Sequence, residues 1–112
     1  MKKQKFWKVM RDKKSIRFDE AQGYVIDLTD NYGYTVKIAL EFVRAHWRAT
    51  HYESGLLIMP HRVINEFGNK SNEYKSRDEL IKTLKTLDFK KYVHGNTFIE
   101  DMKEKLNTVR NK

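Results

Sequence analysis

The chain has no cysteine, a single proline and five glycines among its 112 residues. Without cysteine it can form no disulfide framework, no thiolate nucleophile and no cysteine-based zinc or iron–sulfur site. Long hydrophobic runs are missing as well. No stretch approaches the roughly 18 apolar residues that a membrane-spanning helix needs, and the basic start is not followed by the apolar segment of a signal peptide. We therefore expect a cytoplasmic protein in a reducing compartment, with no membrane partner.

Acidic residues are scarce at both ends of the chain. Residues 1–17 hold eight Lys or Arg and one acid, residues 18–69 hold four and seven, and residues 70–112 hold eleven and seven. The net charge of +8 therefore resides in the two terminal segments. This asymmetry attracts phosphate backbones through a long-range field that depends on salt, so we expect a polyanionic partner.

The length and composition predict one domain over residues 1–112, with residues 1–14 as a basic N-terminal arm. Hydrophobic residues make up 39% of the chain and aromatic residues 12%. That content supplies a hydrophobic core despite the high fraction of charged residues, so full disorder is not expected.

The first part of the chain predicts antiparallel strands. Apolar and polar side chains alternate from Tyr34 to Phe42 and, more briefly, from Tyr24 to Leu28. The turn-forming residues 30–33 between these runs complete a β-hairpin. Ile16 and Phe18 are candidates for a preceding strand, joined to the hairpin through a turn over residues 19–23.

Beyond Phe42 the apolar positions change parity, which requires a turn or bulge, so a new strand should begin near His46. Residues 53–55 supply a further turn before an apolar run that ends at Pro60. The apolar residues between 36 and 50 also fall at helical spacing, and a helix over this range is the alternative.

The last third of the chain predicts two helices. Ser76 followed by Glu79, and Thr97 followed by Glu100, are capping boxes, and an apolar stripe follows each of them. Residues 63–67 indicate one short helical turn, and residues 68–75 read as a loop. The predicted fold is therefore α+β: an antiparallel meander of three to five strands packed against two C-terminal helices.

The N-terminal arm alternates cations with aromatic surface, a mixture that suits nucleic acid. Ammonium and guanidinium groups neutralise phosphates, and a Trp face stacks on an unpaired base. The alternative is that the aromatic residues pin the arm to the core while the lysines face water. The predicted contacts are Lys3, Lys5, Trp7, Lys8, Arg11, Lys13 and Lys14.

Arg44, Arg48 and Arg62 are the only arginines of the acidic middle segment. A guanidinium fork matches a phosphate at two points, so these three residues form a second candidate binding patch.

Metal binding and catalysis have little support. His46, His51 and His61 lie near Glu53, but on one strand His46 and His51 point to opposite faces, so we expect no metal site or cofactor. The more natural role for His51 is to hydrogen-bond within its turn or to pack beside Trp47. A metal-dependent nuclease centred on His51, Glu53 and Glu73 is kept as an alternative.

Residues 47–58 form a Trp-containing strand, a Thr-His turn closed by Ser-Gly and a return strand. This segment resembles a recurring element in small accessory proteins of bacteriophages and prophages. Physically, Gly55 would supply the positive φ of the turn, while Thr50 or Ser54 would satisfy its backbone groups.

Phage accessory proteins of this size include anti-CRISPR inhibitors, which act as stoichiometric blockers of a host nuclease complex. The resemblance thus implies a non-enzymatic protein that binds nucleic acid or a nucleoprotein, such as a CRISPR–Cas effector, in the host cytoplasm. It implies no small-molecule substrate. A DNA- or RNA-binding regulator of phage genes is the other interpretation.

Overall fold

The computed structural model describes residues 2–11, 15–58, 63–64, 70–71, 74–94 and 97–111. The first five strands form one antiparallel meander, and two short strands form a separate ribbon. In chain order the elements are β1 (Gln4–Arg11), β2 (Ile16–Thr29), β3 (Thr35–Val43), β4 (His46–His51), β5 (Leu57–Ile58), β6 (Val63–Ile64), β7 (Lys70–Ser71), α1 (Arg77–Leu84), α2 (Phe89–Val93) and α3 (Thr97–Arg110). The predicted α+β class, with a meander followed by C-terminal helices, is confirmed.

Strand β2 is 14 residues long and serves two partners. Its residues 16–23 pair with β1, and its residues 24–29 pair with β3. The predicted turn over residues 19–23 is therefore wrong, because these residues continue the ladder with β1, where Asp19 lies opposite Lys8 and Gln22 opposite Lys5. Gly23 marks the change of partner: a Cβ there would overlap the carbonyl of Leu40 and meet the ring of Phe6 at 3.0 Å.

The sheet curls so that its first strand lies over its third. Lys8 on β1 reaches Glu41 on β3, with 3.1 Å between Nζ and Oε1. The Val9 N–H donates to the carbonyl of Gly55 at 2.8 Å, which joins β1 to the turn that follows β4. The meander is therefore a half-barrel, in which β1 approaches β3 and the turn that follows β4.

One face of the sheet packs against α1 and α2. Ile38 and Leu40 on β3 are 0% exposed, as is Leu84 on α1. The helix alternative for residues 36–50 is wrong, because residues 36, 38 and 40 bury one face of a strand at a period of two. The core cluster consists of Leu28, Val36, Ile38, Leu40, Ala49, Ile58, Tyr74, Leu80, Leu84, Phe89 and Val93.

The predicted helix starts are confirmed. The Ser76 side chain caps α1 by accepting the Glu79 N–H at 3.4 Å, and α3 begins at Thr97. The short helix α2 was not predicted, although Asp88 caps it by accepting the N–H of Lys91. No helix within the described parts of the chain is both long and apolar enough to span a bilayer.

The segment between the sheet and the helices differs from prediction. Val63 and Ile64 form β6 instead of a helical turn, and β7 lies within the predicted loop. β-branched side chains favour strands, which accounts for the first difference. Residues 67 and 68, on which the helical turn also rested, lie outside the described residues.

Candidate functional site

The apolar face of the sheet continues beyond the part that the helices cover. Phe42 follows Ile38 and Leu40 at the same parity on β3, yet it is 57% exposed. Trp47 is its cross-strand partner on β4, with ring centroids 5.4 Å apart. Tyr24 packs on Trp47 from the other side at 6.1 Å. An aromatic row therefore crosses three strands at one end of the sheet.

This row lines a cleft of about 460 Å³. The Trp47 N–H donates to the carbonyl of Tyr74 at 2.6 Å, which fixes the middle ring of the row from the backbone side. Because Tyr74 is 1% exposed and belongs to the core, the floor of the cleft is rigidly supported. The lining residues are Lys3, Gln22, Gly23, Tyr24, Glu41, Phe42, Trp47 and Lys75.

Two exposed lysines, Lys3 and Lys75, stand at the cleft. Among the described residues neither of them has an acidic partner within 4.0 Å. Glu41 also lines the cleft, but its carboxylate is paired with Lys8. The charge available to a ligand in the cleft is therefore positive.

The turn beside the cleft has an unusual backbone. Arg44 and Ala45 join β3 to β4 with φ of 53° and 67°, the left-handed region that a two-residue hairpin turn demands and that Gly or Asn usually fills. This geometry leaves the Arg44 side chain exposed. Non-glycine residues in that region cost free energy and concentrate at functional sites.

Arg48 is held by a neighbouring imidazole. Its Nε–H donates to His46 Nε2 at 3.2 Å, and His46 Nδ1 donates to the carbonyl of Arg44 at 3.1 Å. Arg48 lies opposite Glu41 in the β3–β4 register, although that carboxylate pairs with Lys8. Within the described residues its terminal guanidinium nitrogens have no hydrogen-bond partner. Arg44 and Arg48 of the predicted patch therefore lie on the same hairpin as Phe42 and Trp47 without lining the cleft, while Arg62 lies outside the described residues.

The predicted N-terminal arm folds as strand β1. The alternative that its aromatic residues anchor it holds for Phe6, which is 1% exposed. Lys8 pairs with Glu41, and Lys5 lies 3.7 Å from Glu20 and 5.6 Å above the Trp7 ring. Of the remaining predicted contacts, Lys3 lines the cleft, Arg11 ends β1, and Lys13 and Lys14 lie outside the described residues.

His51 has the structural role that the sequence predicted. It is 2% exposed, and its Nδ1 lies 2.7 Å from the Ser54 hydroxyl within the β4–β5 turn. Burial lowers the pKa of His51, against the opposing effect of the Glu53 carboxylate, while Lys103 lowers it further. Ser54 is 0% exposed and accepts the Leu56 N–H, so this Ser–His contact stabilises the turn.

Two residues of the nuclease alternative, His51 and Glu53, line one depression of the described surface. Glu53 pairs with Lys103 at 3.2 Å, His51 is engaged by Ser54, and Glu73 lies outside the described residues. No group of three His, Asp or Glu side chains within the described ranges is placed to hold a metal ion.

Sequence reasoning missed the centre of the cleft. Phe42, Tyr24 and Lys75 were assigned to strands or to a loop, and only Lys3 was named as a contact. The available signal was the strand alternation itself, which ends on a large aromatic residue just before the parity change. Whether that residue is covered depends on helices that are distant in sequence.

No protein-family model, curated protein or solved structure matches this chain.

Proposed function

We propose that this protein binds nucleic acid at the cleft end of its sheet and acts without catalysing a reaction. The observation that supports this most directly is the presence of exposed aromatic surface and two lysines in one cleft. Lys3 and Lys75 line the cleft and have no acidic partner among the described residues, and Arg44 lies exposed in the turn that follows Phe42. Phosphates are recognised by such cations, and bases by aromatic faces.

Ion pairs reduce the charge that some of the other cations can offer a ligand. Lys8 is paired with Glu41, Arg17 with Asp19 at 3.1 Å, and Lys103 with Glu53. A paired lysine contributes less to binding, because its partner must be released or screened first. Exposed lysines on the helices, such as Lys90 and Lys91 of α2, are a competing basic surface that the test must separate from the cleft.

The direct test compares the salt dependence of binding in two double variants. Lys3→Ala with Lys75→Ala removes the cleft cations, and Lys90→Ala with Lys91→Ala removes two exposed cations from α2. Both variants lose the same formal charge. Affinity for a labelled oligonucleotide is measured by fluorescence anisotropy over a range of salt concentrations.

We expect the cleft variant to flatten the log–log salt slope by about 1.4 for a single strand, because each neutralised phosphate contributes about 0.7. The α2 variant should leave the slope close to that of the wild type. Equal effects of the two variants would show that binding follows net charge alone, and no binding at low salt would reject the proposal.

The resemblance of residues 47–58 to phage accessory proteins indicates the biological system in which this binding would act. In the structure, Gly55 has a φ of 75° and Ser54 accepts the Leu56 N–H, which are the roles predicted for the turn. As a phage-type accessory protein, the chain would inhibit a CRISPR nuclease by occupying its RNA or its DNA path. Co-purification from a host lysate separates this proposal from a free DNA- or RNA-binding regulator, since only the inhibitor brings down a nuclease protein.

A further inference from the structure

We infer that the nucleic acid recognised at the cleft is single-stranded, with an unpaired base stacked on the exposed face of Phe42. This inference rests on the proposed function and specifies its ligand. It follows from the position of Phe42, the support beneath it and the shape of the surface that leads away from it.

The stacking position is preformed. Phe42 is 57% exposed, and its ring contacts Trp47, which in turn contacts Tyr24 and is held by the Tyr74 carbonyl. A base placed on Phe42 therefore extends an existing row of rings. Little side-chain freedom has to be lost on binding, which favours affinity.

The surface continues from the cleft along β1 and β2. Gln22 lines both the cleft and a second depression of about 180 Å³, which Lys5 and Glu20 also line. Lys5 sits opposite Gln22 in the ladder and lies above the Trp7 ring. A linear ligand that starts at Phe42 thus continues towards Lys5 and Trp7, where it would have to displace or screen Glu20 from Lys5.

A duplex does not fit this arrangement as well as a single strand does. In a duplex the base faces are stacked on each other, so only an unpaired base offers a face to Phe42. A protein partner would also use exposed aromatic residues, but Lys3 and Lys75, which have no acidic partner among the described residues, favour a polyanion.

The test uses fluorescein-labelled 12-nucleotide single strands, dT and rU, and a 12-base-pair duplex at one salt concentration. We expect the wild type to bind a single strand at least roughly tenfold more tightly than the duplex. Phe42→Ala and Phe42→Leu should each weaken single-strand binding by roughly tenfold and leave duplex binding within about twofold. Leu keeps an apolar cover over Trp47, so a shared loss identifies the ring as the contact.

Tyr32→Ala is the matched control, because Tyr32 is 72% exposed and lies at the β2–β3 turn instead of the cleft. This variant should bind the single strands and the duplex as the wild type does. Quenching of tryptophan emission by the single strand should weaken with Phe42→Ala, because the Phe42 ring lies against Trp47.

The outcomes separate this inference from the proposed function. Equal affinity for the single strands and the duplex, or full single-strand binding by both Phe42 variants, overturns stacking and leaves nucleic-acid binding intact. Failure of the wild type to bind any of the three ligands overturns both, and points to a protein surface as the partner.

Discussion

The two ends of the sheet are built differently. At the β2–β3 turn, Asp30 is 5% exposed and accepts backbone N–H groups from Tyr32, Tyr34 and Phe89, each at 2.9 Å. Its carboxylate therefore joins the hairpin to the start of α2. At the opposite end, the β3–β4 turn carries two non-glycine residues at positive φ and is followed by exposed aromatic surface.

The end of the sheet with the β2–β3 turn, which we call the anchored end, is also contacted by the last helix, α3. Arg110 of α3 donates to the Tyr52 carbonyl at 2.6 Å and lies 4.5 Å above the Tyr52 ring, and Lys103 pairs with Glu53. At the cleft end, Arg44 and Ala45 adopt a left-handed backbone conformation that non-glycine residues disfavour. Such a conflict is retained where function requires it, so the contrast supports the cleft as the functional end.

The largest expected effect comes from breaking the anchored end. Burial opposes ionisation of Asp30, but the backbone N–H groups of Tyr34, Phe89, Tyr32 and Gly33 outweigh it and lower its pKa. Asp30→Ala leaves the N–H groups of Tyr32, Tyr34 and Phe89 without their acceptor, and we expect Tm to fall by roughly 10 °C. Thermal unfolding followed by circular dichroism measures this.

Asp27→Ala provides the control, since it removes the same charge from an exposed position on β2, the strand that leads into the turn. A comparable loss of stability in both variants would contradict the role given to the Asp30 hydrogen bonds.

A smaller effect concerns pH at the same end. Because burial lowers the pKa of His51 in the folded protein, the unfolded chain binds the proton more readily. Stability should therefore decline as pH falls through the unfolded value of about 6.5 towards the lower folded value. Urea unfolding between pH 7.5 and about pH 5 measures the decline. This pH interval lies above the range in which carboxylates titrate and dominate the pH dependence of stability.

His51→Gln should remove this dependence, whereas His46→Gln, at the cleft end, should keep it. A pH profile that is unchanged by His51→Gln would assign the dependence to another group.

The smallest effects test the two turns directly. Gly33 has a φ of 92° and open space around its Cβ position, so Gly33→Ala tests conformation alone and should cost about 1 kcal/mol. Ala45→Gly relieves a left-handed residue and should gain roughly 0.5 kcal/mol. Urea midpoints measure both, and changes of the same sign would remove the contrast between the ends.

Much of the fold followed from local patterns. The alternation through Phe42, the turn at residues 30–33 and the caps at Ser76 and Thr97 each involve residues that are close in sequence, and each predicted its element. The continuity of β2 was missed because Gly23 reads as a turn residue. Its actual constraint is the close approach of the Leu40 backbone, which no local pattern reports.

The candidate site was predicted less well for a similar reason. Charge counting named Lys3, Lys5 and Lys8 alike, but only the fold places Glu41 beside Lys8 and leaves Lys3 without a described acid. Exposure of Phe42 depends equally on where the helices stop covering the sheet. Local sequence carries residue type and period, whereas pairing and coverage come from distant contacts.

The link between β1 and the rest of the sheet has a consequence for how the protein is made. Lys8 leaves the ribosome well before its partner Glu41, which lies 33 positions later in the chain, and Gly55, which accepts the Val9 N–H, follows later still. The β1–β2 hairpin can therefore form during synthesis, but it cannot dock until the meander behind it has emerged. Docking of the first strand during synthesis therefore waits until the chain has been made at least as far as Gly55.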